Sequence, residues 1–284
     1  MKKVLAISGG VDSMALLYYF LDDPEIVVAH FNHGTRKSAD DDEKFVRNFC
    51  EKNKIKFFSE KKNLGEKVSE EKAREARYAF LRRMAFSEKG EIYTAHHVDD
   101  LVETVAINLI RGTGHRGLAP FTALGIRRPF LEKGWDKKDI LKFAAEKKIL
   151  FREDPTNSSE KYLRNRVRVQ ERFLDKKTKE KIFKLFLRQK EIEREIDEIL
   201  EAIVPEDNKF EREWFRKLED EVCLEIIRAG LEKGGVCATR PQMLDFLDAI
   251  RNYLPGKYFN LPEDKLVKIN KKDFQISSTS LIKS

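Results

Sequence analysis

VLAISGGVDSMALLYYF, residues 4–20, sets a glycine pair between two apolar runs of different character. Residues 4–7 read as a fully buried strand, and residues 13–20 place apolar side chains on all faces of a short helix. A strand, a tight turn and a helix follow. At such a junction the free backbone N–H groups and the positive end of the helix dipole point at whatever lies over the turn, which favours phosphate.

Two common phosphate loops can be tested on these residues. A Walker A loop needs Gly-Lys-Ser/Thr after its glycines, whereas this helix opens with Asp12 and Ser13. The dinucleotide fingerprint G-x-G-x-x-G lacks its second and third glycines over residues 9–14. What remains, Ser8, Gly9, Gly10, Val11, Asp12 and Ser13, is Ser-Gly-Gly-x-Asp-Ser, which resembles the loop of enzymes that cleave ATP between the α and β phosphates. These six residues are the expected ATP contacts; the bland alternative is an ordinary glycine turn.

Strand-like runs recur at 4–7, 26–31, 55–58, 92–95 and 125–130, separated by helix-like stretches. That alternation predicts an α/β fold with a doubly wound, mostly parallel sheet. Ser38 can cap a helix whose first turn carries Asp40, Asp41, Asp42 and Glu43, Ser69 one reaching about Ser87, and Asp136 a third. After Phe151 the pattern changes. A turn-rich, basic segment leads into a helix-like stretch over 176–203, ~42 Å long at the usual rise. Pro205 closes it. Helix-like runs at 211–232 and 242–252 and strand-like residues near 258–259, 266–269 and 274–276 complete a smaller α+β part. The expected domains are 1–175, catalytic and nucleotide-binding, 176–203, a connecting helix, and 204–284.

The chain has 284 residues, a formal charge of +7 and 37% charged residues. A polyanionic partner is permitted but not required by that balance. Cys50, Cys223 and Cys237 are scattered with no C-x-x-C pair, so neither a disulfide framework nor a cysteine zinc site is indicated. A reducing cytoplasm fits, as does the lack of a signal-peptide pattern or of any apolar run approaching the ~18 residues of a membrane span. No membrane partner is expected, and a homodimer is left open.

In doubly wound sheets ligands bind beyond the carboxyl ends of the strands. After the second strand comes HFNHGTRKSADDDEKFV, residues 30–46, with Arg36; after the fourth comes AHHVDDLVETVAINLIRGTGHRGLAPF, residues 95–121. In the latter, Asp99 and Glu103 at i,i+4 and Asp100 and Glu103 at i,i+3 share a helix face. Such carboxylates suit a magnesium ion held with ATP phosphates, Asp12 and Asp100 being the candidate ligands, or a general base. Arg111, Gly112 and Gly114 combine a cation with backbone freedom, which suits approach to phosphate. Arg74 and Arg77 lie on one side of the third helix and read equally well as solvated surface. Residues 158–190 hold twelve Lys/Arg against four Asp/Glu. There Arg164, Arg166, Arg168 and Arg172 with Tyr162 suit phosphate contacts and stacking on an RNA loop.

Taken together, SGGVDS, NHGTRKSADDDEKFV, EKAREARYAFL, HHVDDLVETVAINLIRGTGHRGL, RRPFL and REDPTNSSEKYLRNRVR resemble the tRNA(Ile)-lysidine synthetases, PP-loop enzymes of the N-type ATP pyrophosphatase group. The segments occur in the family's order and cover most of residues 1–168. The resemblance implies ATP-dependent transfer of free L-lysine onto the wobble cytidine of the isoleucine tRNA with anticodon CAU, through an adenylated cytidine. It makes Asp99, Asp100, Glu103 and Arg111 the candidate catalytic residues, and ATP and Mg2+ the cofactors. Arg36, Arg74, Arg77, Arg164, Arg168 and Arg172 become the candidate tRNA contacts, and the part beyond 204 a tRNA-recognition domain. Rival readings are a tRNA thiolase, an amide-forming synthetase and a non-catalytic, nucleotide-gated RNA-binding protein.

Overall fold

The computed structural model describes residues 1–34, 39–63, 69–152, 167, 174–262 and 265–276. Arg36, Ser38, Tyr162, Arg164, Arg166, Arg168 and Arg172 therefore lie outside the described residues. The chain forms two compact units, Met1–Lys190 and Glu191–Ser284.

The first unit is built on strands β1 (Lys2–Ala6), β2 (Ile26–Asn32), β3 (Lys56–Lys61), β4 (Gly90–Tyr93) and β5 (Ile126–Arg127). All pair in parallel, in the order β3-β2-β1-β4-β5. Helices α1 (Val11–Tyr19), α2 (Ala39–Lys52), α3 (Glu70–Ser87) and α4 (Val98–Ile110) follow the first four strands. Alternate residues of each strand serve opposite faces, so Leu5 and Val28 pack with α1 and α2 while Val4 and Ala29 pack with α3. α1 is buried on every side from Ser13 to Leu17, as its unbroken apolar run requires.

The fifth expected strand is much shorter than 125–130. It ends at Arg127 because Pro129 opens α5 (Pro129–Glu132), where a fixed φ and a missing N–H cost nothing at the first helical position. Ser69 and Asp136 cap α3 and α6 (Lys137–Glu146) as read from the sequence, accepting from the N–H groups of Lys72 and Asp139. The 28-residue helix α7 (Lys176–Ile203) begins in the first unit, where Ile182, Phe183 and Phe186 pack against α4, and ends in the second.

The second unit joins α8 (Arg212–Lys217), α9 (Asp220–Lys233) and α10 (Arg240–Asn252) to an antiparallel sheet in the order β6-β9-β8-β7. Its strands are β6 (Lys209–Glu211), β7 (Lys257–Asn260), β8 (Leu266–Ile269) and β9 (Asp273–Gln275). Phe210, Phe215, Phe246 and Phe274 form its centre. The single helix expected over 211–232 is two, because Arg251 of α10 takes the carbonyls of Phe215 and Leu218 (2.5 and 3.1 Å) and pairs with Asp220 across the break.

Candidate active site

The strand order reverses between β1 and β4, and the loops leaving these two strands face each other there. This is the place where a doubly wound sheet opens a crevice for a ligand. Gly9 takes φ +96°, a conformation that only glycine adopts cheaply, and turns the chain from β1 into α1. Ser13 Oγ ties the turn together: it accepts from the N–H groups of Ser8 (3.1 Å) and Gly9 (3.2 Å) and donates to Gly10 O (2.9 Å). Behind the loop, Arg152 donates its N–H to Gly9 O (3.0 Å) and its Nε to the buried Asp42 (2.5 Å). Gly10 occupies the N-cap of α1 without a side chain to cap it, so first-turn N–H groups are left for an anion.

Across the crevice the residues after β4 form a charged network centred on His97. Its Nδ1 stands 3.3 Å from Asp99 Oδ2, off-line for a hydrogen bond but close enough to act through charge. Its Nε2 is 3.5 Å from Asp100 Oδ2 and 4.0 Å from Asp12 Oδ2, and the backbone N–H of His97 donates to Asp100 Oδ2 (3.0 Å). Burial opposes a charge on this ring, but Asp100, Asp99 and Asp12 outweigh it and raise the His97 pKa above its ordinary value. Lys137 serves two members at once, donating its N–H to Asp99 Oδ2 (2.6 Å) and its ammonium to Asp12 Oδ1 (2.5 Å). Lys179 of α7 donates to Asp99 Oδ1.

His96 is in the opposite state. Burial, with the nearby cations Arg128, Arg77 and Arg74, pushes its pKa down to about 3 against the pull of Asp100, so the ring is neutral. It contacts Thr94 Oγ1 at 2.8 Å and lies against Phe121. Arg74 and Arg77 both sit over the Tyr78 ring, at 5.2 and 5.5 Å.

The structure thus brings Asp12, Asp99 and Asp100 onto one imidazole, with Glu103 one turn on and only 3% exposed. It does not bring Arg111 to them. Arg111 caps the other end of α4, ~16 Å along the axis from Asp100, with Gly112 and Gly114 beyond it. Asp12 Oδ2 and Asp100 Oδ2 both face His97 Nε2, at 4.0 and 3.5 Å, and are the two carboxylates a magnesium ion could use, since that ion takes one or two carboxylates and completes its shell from phosphates and water. Among the described residues, no group of three or more His, Cys, Asp or Glu could hold a metal by itself.

Sequence reasoning assigned no individual role to Lys137, Lys179, Arg128 or Arg152, and placed His96 and His97 with the carboxylates at the ligand edge without giving either a role of its own. One signal was available. The Asp136 cap puts Lys137 at the first position of α6, where a backbone N–H has no helical partner and needs an acceptor. For Lys179 the partner carboxylate lies 80 residues earlier in the chain.

Loop, crevice and carboxylates define a phosphate-binding domain of the doubly wound class. Residues 1–172 match the PP-loop domain, and the chain belongs to that family, which implies ATP binding. It is 35% identical over 181 residues to the tRNA(Ile)-lysidine synthase of Enterococcus faecalis, covering 59% of this chain and 39% of that protein. It is 40% identical over 205 residues to the enzyme of the same name from Petrotoga mobilis, covering 65% and 64%. The chain thus spans well under two thirds of the E. faecalis relative. A solved structure of a U34-tRNA thiolase, NcsA from Methanococcus maripaludis, shares the fold: TM-score 0.56 at 19% identity, covering 68% of this chain and 72% of that one. No helix among the described residues is long and apolar enough to cross a membrane.

Proposed function

We propose that the chain is a ligase that joins lysine to the 2-position of the wobble cytidine of tRNA(Ile) with anticodon CAU, consuming ATP and changing decoding from AUG to AUA. The observation that carries this reading is the meeting of the SGGVDS loop with Asp99 and Asp100 around His97, in a chain whose residues 1–172 match the PP-loop domain and which is similar to enzymes named for that activity.

The cytosine 2-oxygen attacks the α-phosphate, a C2–O–P linkage forms and pyrophosphate leaves. The lysine amine then attacks C2, and the C2–O bond breaks, so that AMP departs with the oxygen. First-turn N–H groups of α1 and the Lys137 ammonium would hold and neutralise the phosphates, which is where positioning and electrostatics supply the rate. Magnesium bound by Asp12 and Asp100 would add charge neutralisation at the same phosphates.

The side-chain amine of lysine, with a pKa of about 10.4 in water, carries a proton at neutrality, so the second step needs an acceptor for it. Asp99, Asp100 and Glu103 are the carboxylates proposed to bind and deprotonate the amine, one that does not hold the magnesium ion taking the proton. Arg74, Arg77 and the arginines of 158–172 are assigned to RNA phosphates, and residues 204–284 to choosing between the isoleucine tRNA and methionine tRNAs with the same anticodon. Incubation with ATP, magnesium, lysine and total tRNA, followed by mass analysis of the nucleosides, tests the reading. The expected product is a cytidine that has gained lysine and lost water. Pyrophosphate release without any lysine-bearing nucleoside would refute it.

A further inference from the structure

Lys179 is out of character with its own helix face. One and two turns further along α7, that face carries Ile182, Phe183 and Phe186, packed against Val98, Leu101 and Val102 of α4. An apolar residue would continue the contact. Instead a lysine with a side chain only 10% exposed places its ammonium on Asp99, itself 15% exposed. Two charges taken so far out of water add little net stability, because lost hydration offsets their attraction. Packing alone does not account for the pair.

The rest of the Asp99 carboxylate does. While Oδ1 receives Lys179, Oδ2 receives the Lys137 N–H and faces His97 Nδ1 at 3.3 Å, and the far side of that ring faces Asp100 and Asp12. A continuous line, Lys179 to Asp99 to His97 to Asp12, runs from α7 into the first turn of α1. We propose that Lys179 is a positioning residue of the nucleotide site: it holds the Asp99 carboxylate in place and, through it, the His97 ring between Asp12 and Asp100. It acts through Asp99 and not on the nucleotide, and it makes the first turn of α7 part of the ATP site. This rests on the nucleotide reading of the loop but not on lysine or tRNA as substrates.

The test uses the full chain and an ATP analogue with a non-hydrolysable α,β bridge, titrated calorimetrically with magnesium, beside thermal unfolding. Lys179→Met should weaken analogue binding about tenfold, the scale of coupling within one ion-pair network, and Lys179→Arg should stay within about threefold of the parent. If Lys179 acts on the nucleotide site through the Asp99 carboxylate, its loss should add nothing to the loss of that charge, so Asp99→Asn/Lys179→Met should bind as Asp99→Asn does. That comparison decides the matter even where Lys179→Met alone does not fold. A role in packing only would lower the melting temperature of Lys179→Met and leave the affinity of the folded protein unchanged, which overturns the proposal. A double variant markedly weaker than Asp99→Asn overturns it as well. Failure of the unsubstituted protein to bind the analogue would overturn the nucleotide site itself; normal parental binding with an unaffected Lys179→Met removes only the role of Lys179.

Discussion

Gly9 and Gly10 are neighbours with opposite reasons for being glycine, and replacing each by alanine should separate folding from function. A Cβ on Gly9 would meet Val46 Cγ2 at 3.6 Å, an ordinary contact, so the cost is torsional: φ is +96°. Left-handed backbone costs an alanine about 1–2 kcal/mol. For a unit of this size that is roughly 2–8 °C in melting temperature. Gly10 has no such need. Its φ is −74°, and a Cβ there would meet only Ser8 Oγ, at 3.7 Å, before open space. The loss of a good N-cap and the gain from a less flexible unfolded chain are both about 0.5–1 kcal/mol and oppose each other. Gly10→Ala should therefore melt close to the parent. The added methyl, however, projects at the mouth of the loop, where a phosphate must reach the first-turn N–H groups. Losing one charge-assisted hydrogen bond costs about 1.5–3 kcal/mol, or roughly 10- to 150-fold in affinity. Calorimetric titration with ATP analogue and a thermal melt on each variant give both quantities. The loop assignment is refuted if Gly10→Ala binds the analogue as the parent does, or if it is destabilised as much as Gly9→Ala.

Two further outcomes follow from charge. His96 has a folded pKa of about 3 against ~6.5 unfolded, so between those values the unfolded chain binds the extra proton; stability is complete above ~pH 6.5 and falls as pH drops toward 3. The loss should reach up to about 2 kcal/mol at pH 5 and be absent in His96→Gln, as read from urea midpoints at pH 7 and 5; an equally steep acid limb in the variant would exclude His96 as its source. Neutralising Arg164, Arg168 and Arg172 together should weaken tRNA binding and reduce its log–log salt slope by about two to three, with little change in ATP affinity; an unchanged slope would remove these residues from the RNA interface.

What the chain's order of residues determined was local and strong. The apolar run before the glycine pair read as a buried strand and is one, the caps at Ser69 and Asp136 were read at the right residues, and the long helix ends where Pro205 requires. The SGGVDS loop and the carboxylates of α4 were legible because their chemistry lies within a turn or two of sequence. Tertiary structure decided how they meet. Asp12, Asp99 and Asp100 come together on His97 only because β1 and β4 are neighbours in the sheet, a pairing that spans some ninety residues. Lys137 and Lys179 reach the same network from still later helices, and nothing in the order of residues says which carboxylate either will meet. The break between α8 and α9 is similar, since the arginine that fills it lies on α10. Propensity and capping act over a few residues and are written in order along the chain. A buried charge must find its partner in space, and which partner it finds depends on strand order and helix docking.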